Sequence, residues 1–151
     1  MPIYYKNTPA KKIACLFSAV PRTGTTTLDQ IFLDHQFLRF YGEESSILGT
    51  RQKCPAQHFD REILEAIFNF DRIDFKFQIV RHPVDRLISA YWYANRKKKE
   101  KSPFNFWWSQ ASTKLSENPR AYDNHLLPQH CFETCGTAIY RFEEGILQIA
   151  R

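Results

Sequence analysis

The chain has 151 residues, 21 Lys and Arg against 16 Asp and Glu, and a formal charge of +5. That length can bury a core without disulfide staples, and 43% hydrophobic with 25% charged residues fits a globular chain and excludes a disordered one. The basic balance favours an anionic partner such as a nucleotide, nucleic acid, an acidic glycan or a membrane surface, while the lack of any ~18-residue apolar run and the polar first twelve residues predict a cytoplasmic protein with no membrane span.

Lys12 to Val20, KIACLFSAV, is short, apolar and stopped by a turn signal, which reads as a buried strand. The turn PRTGTT leads into TTTLDQIFLDHQFL, where Leu28, Ile31, Phe32, His35 and Leu38 share one helical face. Such a strand, turn and helix start aims backbone N–H groups, hydroxyls and a positive helix end at one point, which makes an anion site. The nucleotide-triphosphate turn G-x-x-x-x-G-K-[ST] is different. Here there is one glycine, Gly24, no lysine after it, and Arg22 before it.

Pro55 to Phe70 repeats a helical pattern through Phe59, Ile63, Ala66, Ile67 and Phe70. FKFQIV, Phe75 to Val80, reads as a second buried strand. A helix then begins at Pro83 and turns Leu87, Ile88 and Tyr91 inward. Ser102 and Pro103 suit the cap and first residue of a helix over FNFWWSQASTKL. Residues 117–130 read as loop, TAIYRF as a last strand and Glu143 to Arg151 as a short helix. The basic run RKKKEK, 96–101, attracts acidic glycan or nucleic acid on one reading and is a solvated helix end on the other. FNFWW stacks on sugars or bases, or packs in the core. Cys15, Cys54, Cys131 and Cys135 are scattered, with His125 and His130 the nearest further soft ligands to the last two. Free thiols and no metal site are expected.

No repeat or linker divides the sequence, so one domain is expected over residues 1–151. Strands alternating with helices predict an α/β fold with a central parallel sheet and helices on both faces. Ligands of such sheets sit beyond the carboxyl ends of the strands. The turns at Arg22 to Thr25 and Arg81 to Pro83 both fall there. Arg81 and Ser89, eight residues apart, offer a guanidinium and a hydroxyl at a second helix start. Two anion sites at adjacent strand ends suit a nucleotide phosphorylated at two positions.

These residues resemble a family. PRTGTT is similar to the 5′-phosphosulfate loop of sulfotransferases, P-K-[ST]-G-T-[TS], and RHPVDRLISAYWY to their 3′-phosphate motif. DNHLLPQHCF followed by IYRFEE resembles the D-N-H-x-R-P-Q and aromatic-Glu segments of the carbohydrate sulfotransferases called Sulfotransfer_2, and CPAQHF resembles a motif of their bacterial members. The four blocks stand in the family's order between Lys12 and Glu144. The resemblance implies a three-layer P-loop-like fold and sulfuryl transfer from 3′-phosphoadenosine 5′-phosphosulfate (PAPS) to a carbohydrate hydroxyl. It implies no metal, no nucleic-acid partner, and the bisphosphate PAP as product. It places Arg22, Thr23, Gly24, Thr25, Thr26 and Thr27 around the 5′-phosphosulfate and Arg81 and Ser89 on the 3′-phosphate. His58 is the implied base and His125 its rival. Asn124, His125, Gln129 and Glu143 are the implied acceptor contacts.

Three departures stand out. Arg22 replaces the usual Lys and can clamp charge but not release a proton. Leu127 replaces the usual Arg. The family pattern continues beyond Glu143 into segments that finish the nucleotide pocket, and here eight residues remain, so the chain reads as a short, C-terminally truncated member. The competing expectation is a noncatalytic binder of nucleotide or acidic glycan that keeps the anion sites.

Overall fold

In the computed structural model of the chain, residues 3–41 and 58–145 are described. They form a mixed α/β fold on a five-stranded sheet of order β3-β1-β2-β4-β5. In chain order the elements are β1 (Ile3–Asn7), β2 (Lys12–Ser18), α1 (Thr25–Asp34), β3 (Leu38–Tyr41), α2 (Arg61–Ile67), β4 (Phe75–Val80), α3 (Pro83–Asn95), α4 (Phe104–Glu117) and β5 (Ala138–Arg141).

The first two of the three strands read from the sequence are parallel neighbours, paired from Cys15 with Phe75 to Ser18 with Gln78. β5 extends the parallel part beside β4. A central parallel sheet was expected, and β2, β4 and β5 form one, but the sheet as a whole is mixed. β1 pairs antiparallel with both β2 and β3. The β1–β2 hairpin turns at Thr8 to Lys11, where Pro9 takes the second turn position and the Thr8 hydroxyl donates to the Lys11 carbonyl at 2.7 Å. β3 takes the place of the expected end of the first helix. α1 stops at Asp34 because Gln36 is left-handed at φ 64. The Phe37 N–H then bonds back to the Phe32 carbonyl and the Gln36 N–H to the Leu33 carbonyl, which closes the helix end.

Alternation along β2 divides the core. Cys15 and Phe17 join Tyr4, Phe77 and Ile79 in a cluster that α1 covers with Leu28 and Phe32. Leu16 points into a second cluster with Ile3, Phe59 and Leu64 of α2. Aromatic stacking binds the first cluster, with Tyr4 on Phe32 at 4.3 Å and Phe17 on Phe77 at 4.9 Å between ring centroids. Tyr4, Phe17 and Phe77 are fully buried, each contributing about 1.5–3 kcal/mol through burial, and the partly buried Phe32 sets α1 against them.

Other expectations shift in detail. The helix expected from Pro55 runs Arg61–Ile67 within the described residues, capped by Asp60, whose side chain accepts from the Ile63 N–H. Pro55 and Cys54 lie outside the described residues. On α3, Ile88 was expected inward and is instead 42% exposed. α4 starts at Phe104 after Pro103, without a Ser102 cap. In the tail, a single 3-10 turn, Phe142–Glu144, stands where the last helix was expected, and the residues after Gly145 lie outside those described. Cys15, Cys131 and Cys135 are free thiols.

Candidate active site

Because β2 and β4 run parallel, the turns that follow them emerge at one edge of the sheet. After β2 the chain passes through Arg22 at φ 71 and Gly24 at φ 82 before α1 begins. Two left-handed residues separated by one bend the backbone sharply between β2 and α1, a kind of turn from which anion-binding concavities are built. The Arg22 conformation costs a non-glycine residue about 1 kcal/mol or more. The Thr23 hydroxyl is buried and donates to the Val20 carbonyl at 2.7 Å, so it braces the turn from within. Thr25 to Thr27 open α1. Their N–H groups precede the first intrahelical bond, from Leu28 to Gly24, and neither a capping side chain nor an acidic residue neutralises this end.

The two turns are joined directly. Arg22 Nε donates to the Ser89 hydroxyl at 3.1 Å, and Arg81 Nη1 donates to the Arg22 carbonyl at 3.3 Å. Arg81 lies over the Phe142 ring at 4.7 Å. Its backbone is held at both ends by one side chain, since its N–H donates to Gln129 Oε1 at 2.8 Å and its carbonyl accepts from Gln129 Nε2 at 2.7 Å. Gln129 therefore positions Arg81 through both atoms of its amide. Glu143 is exposed and accepts the His82 N–H at 2.6 Å. That bond holds its carboxyl below the usual range and ties β5 to the start of α3.

Sequence reasoning missed Arg86. It is buried in α3, and its guanidinium donates to the carbonyls of Leu127 at 2.5 Å, His125 at 3.1 Å and Pro21 at 3.4 Å. One side chain thus joins the first turn to the segment bearing His125. The available signal was its position, four residues before the buried Ala90 on the inward face of α3. Burial lowers the Arg86 pKa to about 10, which leaves it charged at neutral pH. Burial, with opposition from Arg81 and Arg96, also lowers that of Arg22. Among the described residues no carboxylate pairs with Arg22, Arg81 or Arg86. Such a concentration of cations beside an open helix start is chemically suited to an anion.

Also missed was the turn that presents the histidines. Tyr122, Asp123 and Asn124 are all left-handed, at φ 58, 54 and 62. Asn124 is fully buried and its Nδ2 donates to the His58 carbonyl at 2.8 Å. It has no surface to present to an acceptor, and its role is to hold His58 and the 122–125 turn together. The His58 and His125 rings meet edge to face at 4.8 Å. His125 stacks on Tyr93 at 5.0 Å, and the Tyr93 ring also carries Arg22 at 4.6 Å and Arg96 at 3.4 Å. A cavity of about 240 Å³ is lined by both histidines with Tyr93, Arg96, Trp107 and Tyr122.

Both imidazoles lie below the ordinary histidine value. Burial, then the neighbouring His125, pushes His58 down to about 3. Burial, then Arg22 and Arg86, pushes His125 down to about 4. Both rings are neutral at physiological pH. Among the described residues, no group of His, Cys, Asp and Glu side chains could hold a metal ion, and no helix is long and apolar enough to cross a membrane.

The mixed α/β sheet brings cationic turns to the carboxyl ends of adjacent parallel strands, the edge where such sheets bind their ligands. The chain belongs to the sulfotransferase family (Sulfotransfer_2), whose pattern it matches over residues 8–147. Neither the curated proteins nor the solved structures contain a significant match to it.

Proposed function

We propose that the protein transfers a sulfuryl group from PAPS to a hydroxyl of a carbohydrate acceptor. The observation that carries this reading is the direct link between the two turns, through Arg22 with Ser89 and Arg81 with the Arg22 carbonyl. A ligand with anionic groups at two positions satisfies both turns at once. In this reading the backbone of Arg22 to Thr27, with the Thr25, Thr26 and Thr27 hydroxyls, holds the 5′-phosphosulfate, and Arg81 and Ser89 hold the 3′-phosphate.

Sulfuryl transfer breaks one S–O bond and forms another in line, so positioning and charge stabilisation supply most of the catalysis. Arg22 and the start of α1 stabilise the charge that develops on the leaving phosphate oxygen. His58 takes the proton of the acceptor hydroxyl, with Asn124 fixing its backbone and His125 setting its ring from the side. The Arg22 charge acts on His125 and helps to keep that ring neutral.

Calorimetry with adenosine 3′,5′-bisphosphate, ATP and AMP tests the donor class. The bisphosphate should bind selectively, and equal affinity for all three would remove the basis for two phosphate sites. Transfer of labelled sulfate from PAPS to a panel of glycans tests the reaction. Selective bisphosphate binding without transfer to any hydroxyl would leave the noncatalytic binder.

A further inference from the structure

Outside the candidate active site, α3 and α4 expose large apolar side chains at helical spacing. Val84, Ile88 and Trp92 recur every fourth residue on the outer face of α3 and are 56%, 42% and 49% exposed. Phe104 and Trp108 repeat that spacing at the start of α4, 36% and 39% exposed. Tyr91 joins the two stripes, with its ring 5.2 Å from Trp92 and 5.4 Å from Phe104. The segment between the helices is the exposed run Arg96 to Lys101, with five cations against Glu100. Lys101 Nζ lies 4.4 Å from the centre of the Trp92 ring, which places the cations at the edge of the aromatic surface. Asp85 is the acid in the first turn of α3, at the far end of the stripe.

We propose that this face docks on an anionic lipid bilayer, with the apolar side chains at the boundary of headgroups and acyl chains and the cations against lipid phosphates. Charge complementarity supports that occupant, because a polybasic run beside tryptophan and aliphatic side chains has both requirements of an interfacial contact. Acidic glycan and single-stranded nucleic acid match the cations and rings but leave Val84 and Ile88 without a partner. A second copy on the same face brings two basic runs together, which disfavours it. The docking face adjoins the candidate active site, since Tyr93 and Arg96 at the same end of α3 line the histidine cavity.

The test is flotation of the full chain with vesicles of phosphatidylcholine alone and of equimolar phosphatidylcholine and phosphatidylglycerol, combined with tryptophan emission. Binding should be confined to the anionic vesicles, weaken with salt and shift the emission to the blue. Replacing Lys97, Lys98 and Lys99 together by Glu should lower partitioning by roughly a hundredfold or more. Ile88→Ser with Trp92→Ser should lower it by about tenfold or more while keeping the charge. Both variants should retain the wild-type circular dichroism. No flotation with anionic vesicles, or undiminished flotation of either variant, would overturn the proposal. Capture by heparin or an oligonucleotide without flotation would reassign the face to a polyanion. Dimerisation lost in the Ile88 and Trp92 variant, again without flotation, would reassign it to a second copy.

Discussion

Arg81 and Ser89 serve the same anion with unequal strength, which gives the donor site a quantitative test. A guanidinium makes a charge-assisted bond, so Arg81→Ala should weaken bisphosphate binding by about 1.5–3 kcal/mol, whereas Ser89→Ala should cost about 0.5–1.5 kcal/mol. Unchanged calorimetric affinity in Arg81→Ala would refute the second phosphate site. For the base, His58→Ala should leave bisphosphate affinity intact and lower turnover by about 10²–10⁴, while His125→Ala should chiefly raise the acceptor KM. The opposite pattern exchanges the two roles. The lowered pKa values also fix the pH dependence. A base acts when neutral, and these rings are neutral above about 3 and about 4. The histidine limb of kcat/KM should therefore lie in the acid range, with no rise through pH 6–7, and a limb at the ordinary imidazole pKa that vanishes in His58→Ala would show that the ring is not buried in the active protein.

At the scale of elements, Arg86 is the tie between the β2 turn and the His125 segment. Replacing it with methionine keeps much of the volume but leaves the Pro21, His125 and Leu127 carbonyls without their donor. Arg86→Met should destabilise the fold by about 3 kcal/mol in chemical denaturation. A loss within experimental error would show that the carbonyls find other partners. The same elements show what the sequence makes legible. β2 and β4 are readable because short runs rich in apolar residues end at a proline or a glycine-bearing turn that leads into a helix, and their parallel pairing is that of strands joined by helical crossovers. β3 is hidden because its apolar residues continue the helical phase of α1, and the residue that ends the helix is Gln36 rather than the glycine that announces such an end. β1 is five residues long and shows no clean alternation of burial. In the site, Arg22, Gly24, Arg81 and His125 are legible from spacing and resemblance. The left-handed run at Tyr122 to Asn124 is not, because Tyr122 has none of the chemistry that favours that conformation.

For the whole molecule, the two buried histidines make stability depend on pH in a direction that can be derived. Their folded pKa values, about 3 and about 4, lie below the ordinary value of 6.5. Above pH 6.5 the rings are neutral in both folded and unfolded chains, and the full stability is present. As pH falls below 6.5 the unfolded chain takes up protons that the folded chain refuses. Stability then declines by up to about 1.4 kcal/mol per pH unit for each ring, until the folded pKa values are reached. The depressed carboxyls of Asp74 and Glu143 titrate below the usual carboxylate range and so act in a lower window. Urea midpoints should therefore fall between pH 6.5 and pH 4.5, before most carboxylates are protonated. Replacing both histidines by glutamine should flatten that slope whatever it does to stability at neutral pH. A bound bisphosphate should flatten it too, since its charges raise both imidazole pKa values toward those of the unfolded chain. A slope unchanged in the double variant would assign the acid sensitivity to other groups, and a slope unchanged by the bisphosphate would show that its phosphates lie beyond the electrostatic reach of the histidine pair.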